Sequence, residues 1–539
     1  MLTRRAATLL AASTALPRFA IAQADQRPSI TIAVQRIANS NTFDNLREAS
    51  NVGERTAQMF NERLIEIDWR GDLSQKPGLA TAWRRTDEKT VEVTLREGVR
   101  FHNGDTLTAE DVAARFSPAG MFGDSRPTVD GKTLPHAFSA IVGQGSKELP
   151  KEIPPVARRL WPGLDRVEIV DARTVRFHNA TPDVTLEGRM AALGSEIVSR
   201  RAYGEASTWL EYARKPIGTG PYAIREFKPD TTLQLDAHDD YWGGRPPVKS
   251  IRLVEVPEAS SRINGLLSGE YHFACDIPPD QIAGIERNRN FEVLGGVIQN
   301  HRLTSFDKFH PQLADPRVRL AMAHAVDRQV IVDALWAGRT RVPKGLQWEF
   351  FGDMFIADWN TPEYNPARAR ELLKAAGYKG DPIPYRLLNN YYVNQVPTSQ
   401  VLVEMWKQVG INVAIEMKES FVQLRDRTLP RGVRDWSSGA TLNDPVGSLV
   451  SNFGPNGAAQ QAREYANDEF SKLCVLLETS ADRALRKKAF ARMLQIAERE
   501  DPAYIMLHQA ATFTAKRRDI KWKALPAYQM DFGPGNFAL

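Results

Sequence analysis

Nine histidines and two cysteines are the residues in this chain best suited to nucleophilic, redox or metal chemistry, and none of them is spaced for it. The histidines are scattered without the intervals of a ligand set, so they read as surface or satisfied core residues. Neither G-x-S-x-G nor H-E-x-x-H occurs, which removes the common hydrolase and metalloprotease arrangements. Cys275 and Cys474 form no C-x-x-C pair, so zinc and thiol-redox sites have no support. Two buried free thiols are expected, although an exported protein could also pair them. Pro216-Ile217-Gly218-Thr219-Gly220-Pro221-Tyr222 is glycine-rich, but no Gly-Lys-Ser/Thr follows and no helix start opens there. That run therefore marks a tight backbone path and no phosphate loop. Tyr241-Trp242-Gly243-Gly244 sets aromatics beside glycines, which could hold a ligand and more often serve packing. No cofactor is expected.

The elements around these residues describe an ordinary globular protein of several domains. The chain has 539 residues, 42% hydrophobic and 25% charged, and about three domains follow from that length at roughly 100–200 residues each. The formal charge is +5, of which Arg4, Arg5 and Arg18 in the acid-free stretch 1–22 supply three, leaving +2 for the rest. So weak a balance gives no argument for nucleic acid. Residues 1–22 read as a cleavable export signal. Arg4-Arg5 precede an apolar run from Ala6 to Leu16, and Ala20-Ile21-Ala22 offers an A-x-A cleavage site. Thr3-Arg4-Arg5 also resembles a twin-arginine motif.

Past the leader, Ser29–Val34 reads as a first strand, and the Asn- and Ser-rich loop Gln35–Asn45 follows. Val91, Val93 and Leu95 alternate with polar residues, as do Val167, Ile169, Val175 and Phe177, predicting strand pairs with one buried face. Thr108 with Asp111 at N3 predicts a capped helix. Asp315-Pro316 predicts a helix whose apolar stripe runs to Ile331 and ends before Gly338. Further helices are predicted after Asn365-Pro366, over 399–409 and over 468–500, with strands at 411–415 and 504–507. Helices alternating with strands indicate an α/β class.

Leu79, Ala80 and Trp83, followed by Leu95, Arg96, Gly98, Val99, Phe101, His102, Gly104, Thr108, Ala109, Asp111 and Val112, closely resemble the signature of the extracytoplasmic solute-binding proteins of the peptide/nickel/opine import family. Pro216–Tyr222, the Tyr241–Pro246 turn and Asp315–Arg328 resemble other segments of the same family. The resemblance implies a two-lobe periplasmic binding protein fold of α/β class with an extra subdomain and a two-strand hinge. The corresponding division is lobe I over 23–60, 190–276 and 504–539, the extra subdomain over 61–189, and lobe III over 277–503. It also implies a non-enzymatic, monomeric periplasmic protein that captures an oligopeptide or related small solute and delivers it to the membrane permease of an ABC importer. No lipoprotein cysteine lies near residue 22.

In that family the ligand lies between lobes, and the loop carrying Asn39 and Ser40 opens onto it. Peptide-binding members hold the ligand α-amine with an aspartate three residues before an acidic-Pro pair. Anchored on Asp444-Pro445, that position here is Thr441, which supplies no charge. The arginine that meets a dipeptide carboxylate is also missing. Its place reads Asn389-Asn390-Tyr391-Tyr392. With Trp436, these amides and aromatic rings suit a neutral or hydroxyl-rich ligand. An opine, an oligosaccharide or a metal chelate is the alternative to a peptide, although the expected cleft segments lack His and Met. Two other readings stay open: Tyr391, Tyr392 and Trp436 as core, and Asp444 in place of the missing aspartate.

Overall fold

The computed structural model describes residues 25–122, 128–129, 132–133, 149–389, 391–424, 426–428 and 431–539. The export-signal reading of 1–22, Asn390 and most of the loop-rich stretch after Phe122 lie outside the described residues.

Two long strands organise the molecule. Phe291–Phe306 and Tyr504–Arg517 run antiparallel and occupy the middle of a ten-stranded sheet. Their pairing is regular from Phe291 to Val297, then shifts between Val297 and His301 and again between Arg302 and Leu303 before it ends at Ser305. Each strand therefore serves two bodies. On one side the sheet continues through Phe273–Ala274, Ser29–Val34, Ser250–Glu255, Thr232–Ala237 and Tyr222–Lys228. On the other it continues through Val433–Gly439, Ile383–Leu388 and Val413–Lys418. Ser29–Val34 lies parallel to Ser250–Glu255, and Ile383–Leu388 lies parallel to Val413–Lys418 through the crossover helix Gln395–Gln408. The register shift at the centre is a bulge, where a strand bends most easily. The result is two lobes joined by two strands.

The buried side chains fall into several cores, one of which runs across the hinge from Ile263, Leu266 and Ala274 to Met322 and Trp406. Ile32, Val34, Phe60, Leu235, Leu253 and Phe532 pack together in the first lobe. Met322, Trp336, Tyr385, Leu402 and Trp406 pack under the third lobe's sheet. The extra subdomain has its own four-stranded sheet, in the order Ala80–Asp87, Thr90–Leu95, Thr174–Asn179, Leu164–Asp171, with Val91, Val93, Phe101, Trp161 and Phe177 inside. Its helix Ala109–Arg115 starts on the expected capping box, with the Thr108 N–H donating to Asp111 at 2.9 Å.

Some elements depart from expectation. The predicted helix from Pro316 is two helices, Pro316–His324 and Arg328–Trp336. Asp327 starts the second by accepting the N–H groups of Gln329 and Val330. The 468–500 helix likewise divides into Asp468–Thr479 and Arg483–Gln495, where Asp482 accepts the Leu485 N–H. The strand expected at 504–507 extends to Arg517 because its far half crosses into the other lobe's sheet. Both thiols are buried and unpaired. Gly218 and Gly220 confirm the tight path of their run: a Cβ at Gly220 would lie 2.7 Å from the Phe60 carbonyl carbon. Tyr241 and Trp242 both donate to the buried Glu62 carboxylate, at 2.7 and 2.9 Å, which is a packing role.

Candidate functional site

The crevice between the lobes is built around the hinge strands. From the first lobe it takes Asn51 and Arg55 on the helix Asn51–Phe60, together with Asp276 and Tyr528. From the third it takes Arg302, Trp336, Tyr391 and Tyr392. The free space between them is narrow, about 30 Å³.

On the first-lobe side Glu48 fixes the loop after the first strand. Its carboxylate accepts the Asn39 N–H at 2.9 Å and both the N–H and the hydroxyl of Ser40. The helix that follows lies against Glu48, and only glycine fits at the contact: a Cβ on Gly53 would sit 2.5 Å from Glu48 Cγ. Ser50 caps this helix by accepting the Gly53 N–H. The Ser40 side chain is thus committed to the loop. The Asn39 amide lies beside the Tyr391 hydroxyl, yet both of its polar atoms are buried without a well-formed hydrogen bond. One helical turn inside the crevice, Arg55 donates to Asp276 Oδ1 at 2.6 Å, and both are buried. Burial alone would lower the Arg55 pKa, and the Asp276 carboxylate outweighs it, so the guanidinium stays charged. Asp276 holds a left-handed backbone, φ 56°, and its Oδ2 is buried without a partner. Strain and an unmet acceptor at one residue are features of functional sites.

On the third-lobe side Arg302 Nη2 donates to both oxygens of Asp435, at 2.6 and 2.7 Å, and Nη1 donates to the Trp436 carbonyl. Its guanidinium lies 3.2 Å from the Tyr392 ring centroid. Gln395 ties the pair to the tyrosines: its Nε2 donates to Asp435 at 2.6 Å while its Oε1 accepts the N–H of Tyr391 and of Tyr392. The two phenol rings meet edge to face at 4.5 Å. Burial raises the pKa of both hydroxyls, so they serve as neutral donors and acceptors. The lobes touch where Asn51 donates to Ser437 at 3.3 Å, and Ser437 also accepts from the Tyr392 hydroxyl at 3.0 Å.

The residues expected from sequence are thus distributed over several places. Asn39, Tyr391 and Tyr392 come together at the crevice. Asn389 is exposed at the end of its strand, and Asn390 lies outside the described residues. Trp436 alternates to the opposite face of its strand from Asp435 and Ser437. Its ring lies under Arg434 at 4.1 Å and its Nε1 donates to Asn452. Thr441 is exposed, donates to the Gly447 carbonyl at 2.8 Å, and borders a separate hollow of about 100 Å³ beside Arg189 and Glu478. Asp444 caps the turn Pro445–Gly447, and both its oxygens accept from Arg486 Nη2, at 2.7 and 2.8 Å. Sequence reasoning passed over Arg55, Asp276, Arg302, Asp435 and Tyr528. No signal in the sequence marked Arg302: the stretch Asn300–Phe306 is mostly polar in sequence, and only the structure shows that all of it, Arg302 included, is buried.

A hinged crevice lined by paired charges and phenols is a place for a small molecule. The model of the bacterial extracellular solute-binding proteins, family 5 (middle), matches residues 74–460. The chain belongs to that family. A curated relative, the dipeptide-binding protein of Escherichia coli K12, is 24% identical over 85% of both chains. Heme-binding protein A of Haemophilus influenzae is 25% identical over 79% of this chain and 77% of its own. Among solved structures, a dipeptide-binding protein from Pseudoalteromonas sp. SM9913 in complex with Met-Leu superposes with a TM-score of 0.81, at 19% identity, over 93% of this chain and 98% of that one. This solute-binding protein therefore has the expected two-lobe fold. Among its described residues no helix is long and apolar enough to cross a membrane.

Proposed function

We propose that this chain is the periplasmic solute-binding subunit of an ABC importer, which captures an oligopeptide or related small solute between its lobes and passes it to a membrane permease. Family membership over residues 74–460 carries the reading, and the crevice on the two-strand hinge supports it. The chain works as a binder and not as an enzyme, as a free monomer exported by its first 22 residues. Its lobes divide as the sequence expectation has them, with lobe I built from three segments, the extra subdomain inserted as one, and lobe III as one. Ligand shifts the population toward the closed form by contacting both lobes at once. Relatives named for dipeptides and for heme mark the width of the family's range. A non-peptide solute is the second reading, supported by the neutral hydroxyls of Tyr391 and Tyr392 at the crevice.

The test is thermal unfolding of the purified protein against di- to pentapeptides, opines, oligosaccharides, nickel chelates and heme. A true ligand at 100 times its dissociation constant adds about 2.7 kcal/mol and raises the midpoint. Cleavage of a peptide on incubation, or no shift with any class, would contradict the proposal.

A further inference from the structure

The extra subdomain is fused to the first lobe. Leu46, Ile197, Trp209 and Tyr212 of that lobe share one core with Val91, Phe101 and Phe177 of the subdomain. Backbone bonds join the same boundary: the Ile197 N–H donates to the Glu62 carbonyl at 2.9 Å, and the His102 N–H to the Gly218 carbonyl at 3.0 Å. A body held by a shared core turns with the lobe that holds it.

The boundary with the third lobe is of another kind. Among the described residues of 23–276, only Ala192 joins the core behind that part of the third lobe. Asn443 Nδ2 donates to the Leu73 carbonyl, and Gln461 Nε2 to the Pro155 carbonyl at 2.9 Å. Two further bonds converge on Glu478: the Val184 N–H donates to its backbone carbonyl at 3.0 Å, and Arg189 Nη2 to its carboxylate at 3.0 Å. The seam also holds the hollow of about 100 Å³, with Arg159, Leu160 and Pro162 on one side and Val446, Val450 and Val475 on the other. A packed interior rarely keeps such a void, so two surfaces meet here without forming one core.

Glu478 is poorly placed for the third lobe alone. It lies in the last turn of the helix Asp468–Thr479, which carries no basic residue there. A carboxylate at that end faces the negative pole of the helix dipole, and the Glu478 carbonyl is among the last four, which find no donor within the helix. Burial raises the Glu478 pKa, Arg189 opposes that shift, and Asp183 and Asp444 add to it. Arg189 is positioned beforehand by its own subdomain: Nε donates to Asp183 at 2.6 Å and Nη1 to the Leu160 carbonyl at 2.7 Å. Both groups of Glu478 are thus served from across the seam.

We propose that Val184 and Arg189 form a latch that engages Glu478 when the lobes close, and that this latch governs how long a solute is held without touching it. The proposal rests on the solute-binding reading and adds a positioning contact outside the crevice. In the open form only water reaches the Glu478 carbonyl and carboxylate. Closure gives them a peptide N–H and a guanidinium together. Because the contact exists only after closure, its effect falls on solute release and not on entry.

The experiment compares wild type with Glu478→Lys, Glu478→Gln and Glu478→Asp. Arg84→Cys and Lys487→Cys, at exposed positions of the subdomain and the third lobe, carry a dye pair, and the native thiols are buried. Energy transfer between the dyes follows closure in buffer alone, then with a di- to pentapeptide library, a nickel–histidine chelate and a neutral oligosaccharide mixture in turn. Wild type is expected to show the largest closed fraction and Glu478→Lys the smallest, with Glu478→Asp recovering part of the difference. Release of the closing probe should be about fivefold faster from Glu478→Gln, with entry unchanged. Lysine suits a helix C-terminus, so the unfolding midpoint of Glu478→Lys should stay close to wild type. A lowered midpoint with an unchanged closed fraction would reduce the contact to a structural one and overturn the latch. Equal closed fractions for wild type and Glu478→Lys in every condition would overturn it too. A wild type that no probe closes would contradict the solute-binding reading, and the comparison in buffer would still decide the latch.

Discussion

Asn51 of the first lobe donates a hydrogen bond to Ser437 of the third, 386 residues further along the chain. The same hydroxyl accepts from Tyr392, and Asn300 on the hinge strand donates to Asn51 at 3.4 Å. Asn51 and Ser437 together thus link a capped helix, a hinge strand and the tyrosine pair across the crevice.

If this contact fastens the closed form, removing it weakens binding without weakening the fold. A hydrogen bond of this kind contributes about 1 kcal/mol. Asn51→Ala and Ser437→Ala are each expected to lower ligand affinity about fivefold, with unfolding midpoints close to wild type, as read by calorimetry and thermal scans. The double variant should lose less than the sum of the two single ones, because the Asn51–Ser437 bond is common to both while the Asn300 and Tyr392 bonds are not.

Asp435 has a different role. Its carboxylate neutralises Arg302, which is buried with its guanidinium against the Tyr392 ring. Asp435→Ala leaves a buried charge unpaired and should cost about 3–5 kcal/mol in urea unfolding. It should also release Gln395 and, through it, the Tyr391–Tyr392 turn.

Asp444 separates stability from binding. It pairs with Arg486 and caps the turn Pro445–Gly447, away from the tyrosines. Asp444→Ala is expected to destabilise the protein by about 3 kcal/mol, the consequence of stranding a buried guanidinium, while ligand affinity stays within twofold of wild type.

Glu62 gives the fold a pH dependence. Burial pushes its pKa up to about 7 from an ordinary 4.5, despite donors from Trp242, Tyr241 and Thr219, and the nearby Glu66 carboxylate raises it further. A carboxyl that holds its proton longer when folded stabilises the native state fully below pH 4.5. That contribution is lost as pH rises from 4.5 through 7. Its size is of order 3 kcal/mol, from about 1.4 kcal/mol per pH unit. Urea midpoints measured across this window should show the loss, and Glu62→Gln should flatten it.

The sequence made local structure legible. Thr108 with Asp111, and Asp315 with Pro316, marked helix starts that the structure keeps, because capping depends on neighbours a few residues apart. Asp327 carried the same chemistry inside an apolar stripe and was overlooked, so two helices were read as one. The crevice was only partly legible. Tyr391 and Tyr392 were visible as recognition groups, but Arg55 meets Asp276 across 221 residues and Arg302 meets Asp435 across 133. No periodicity encodes such pairings. They follow from two strands crossing between lobes. Trp436 shows the complementary limit: adjacent to Asp435 in sequence, it points to the other face because strand side chains alternate.

The central claim is that solute is held between the lobes, at Asn51, Tyr392 and Ser437. Hydrogen–deuterium exchange with and without the solute that most raises the unfolding midpoint tests it most directly. Strong protection of residues 51–56, 391–395 and 434–438 together, on both sides of the hinge, is the result predicted here. Protection confined to one lobe, or to 441–450 beside the hollow at Arg189, would contradict it.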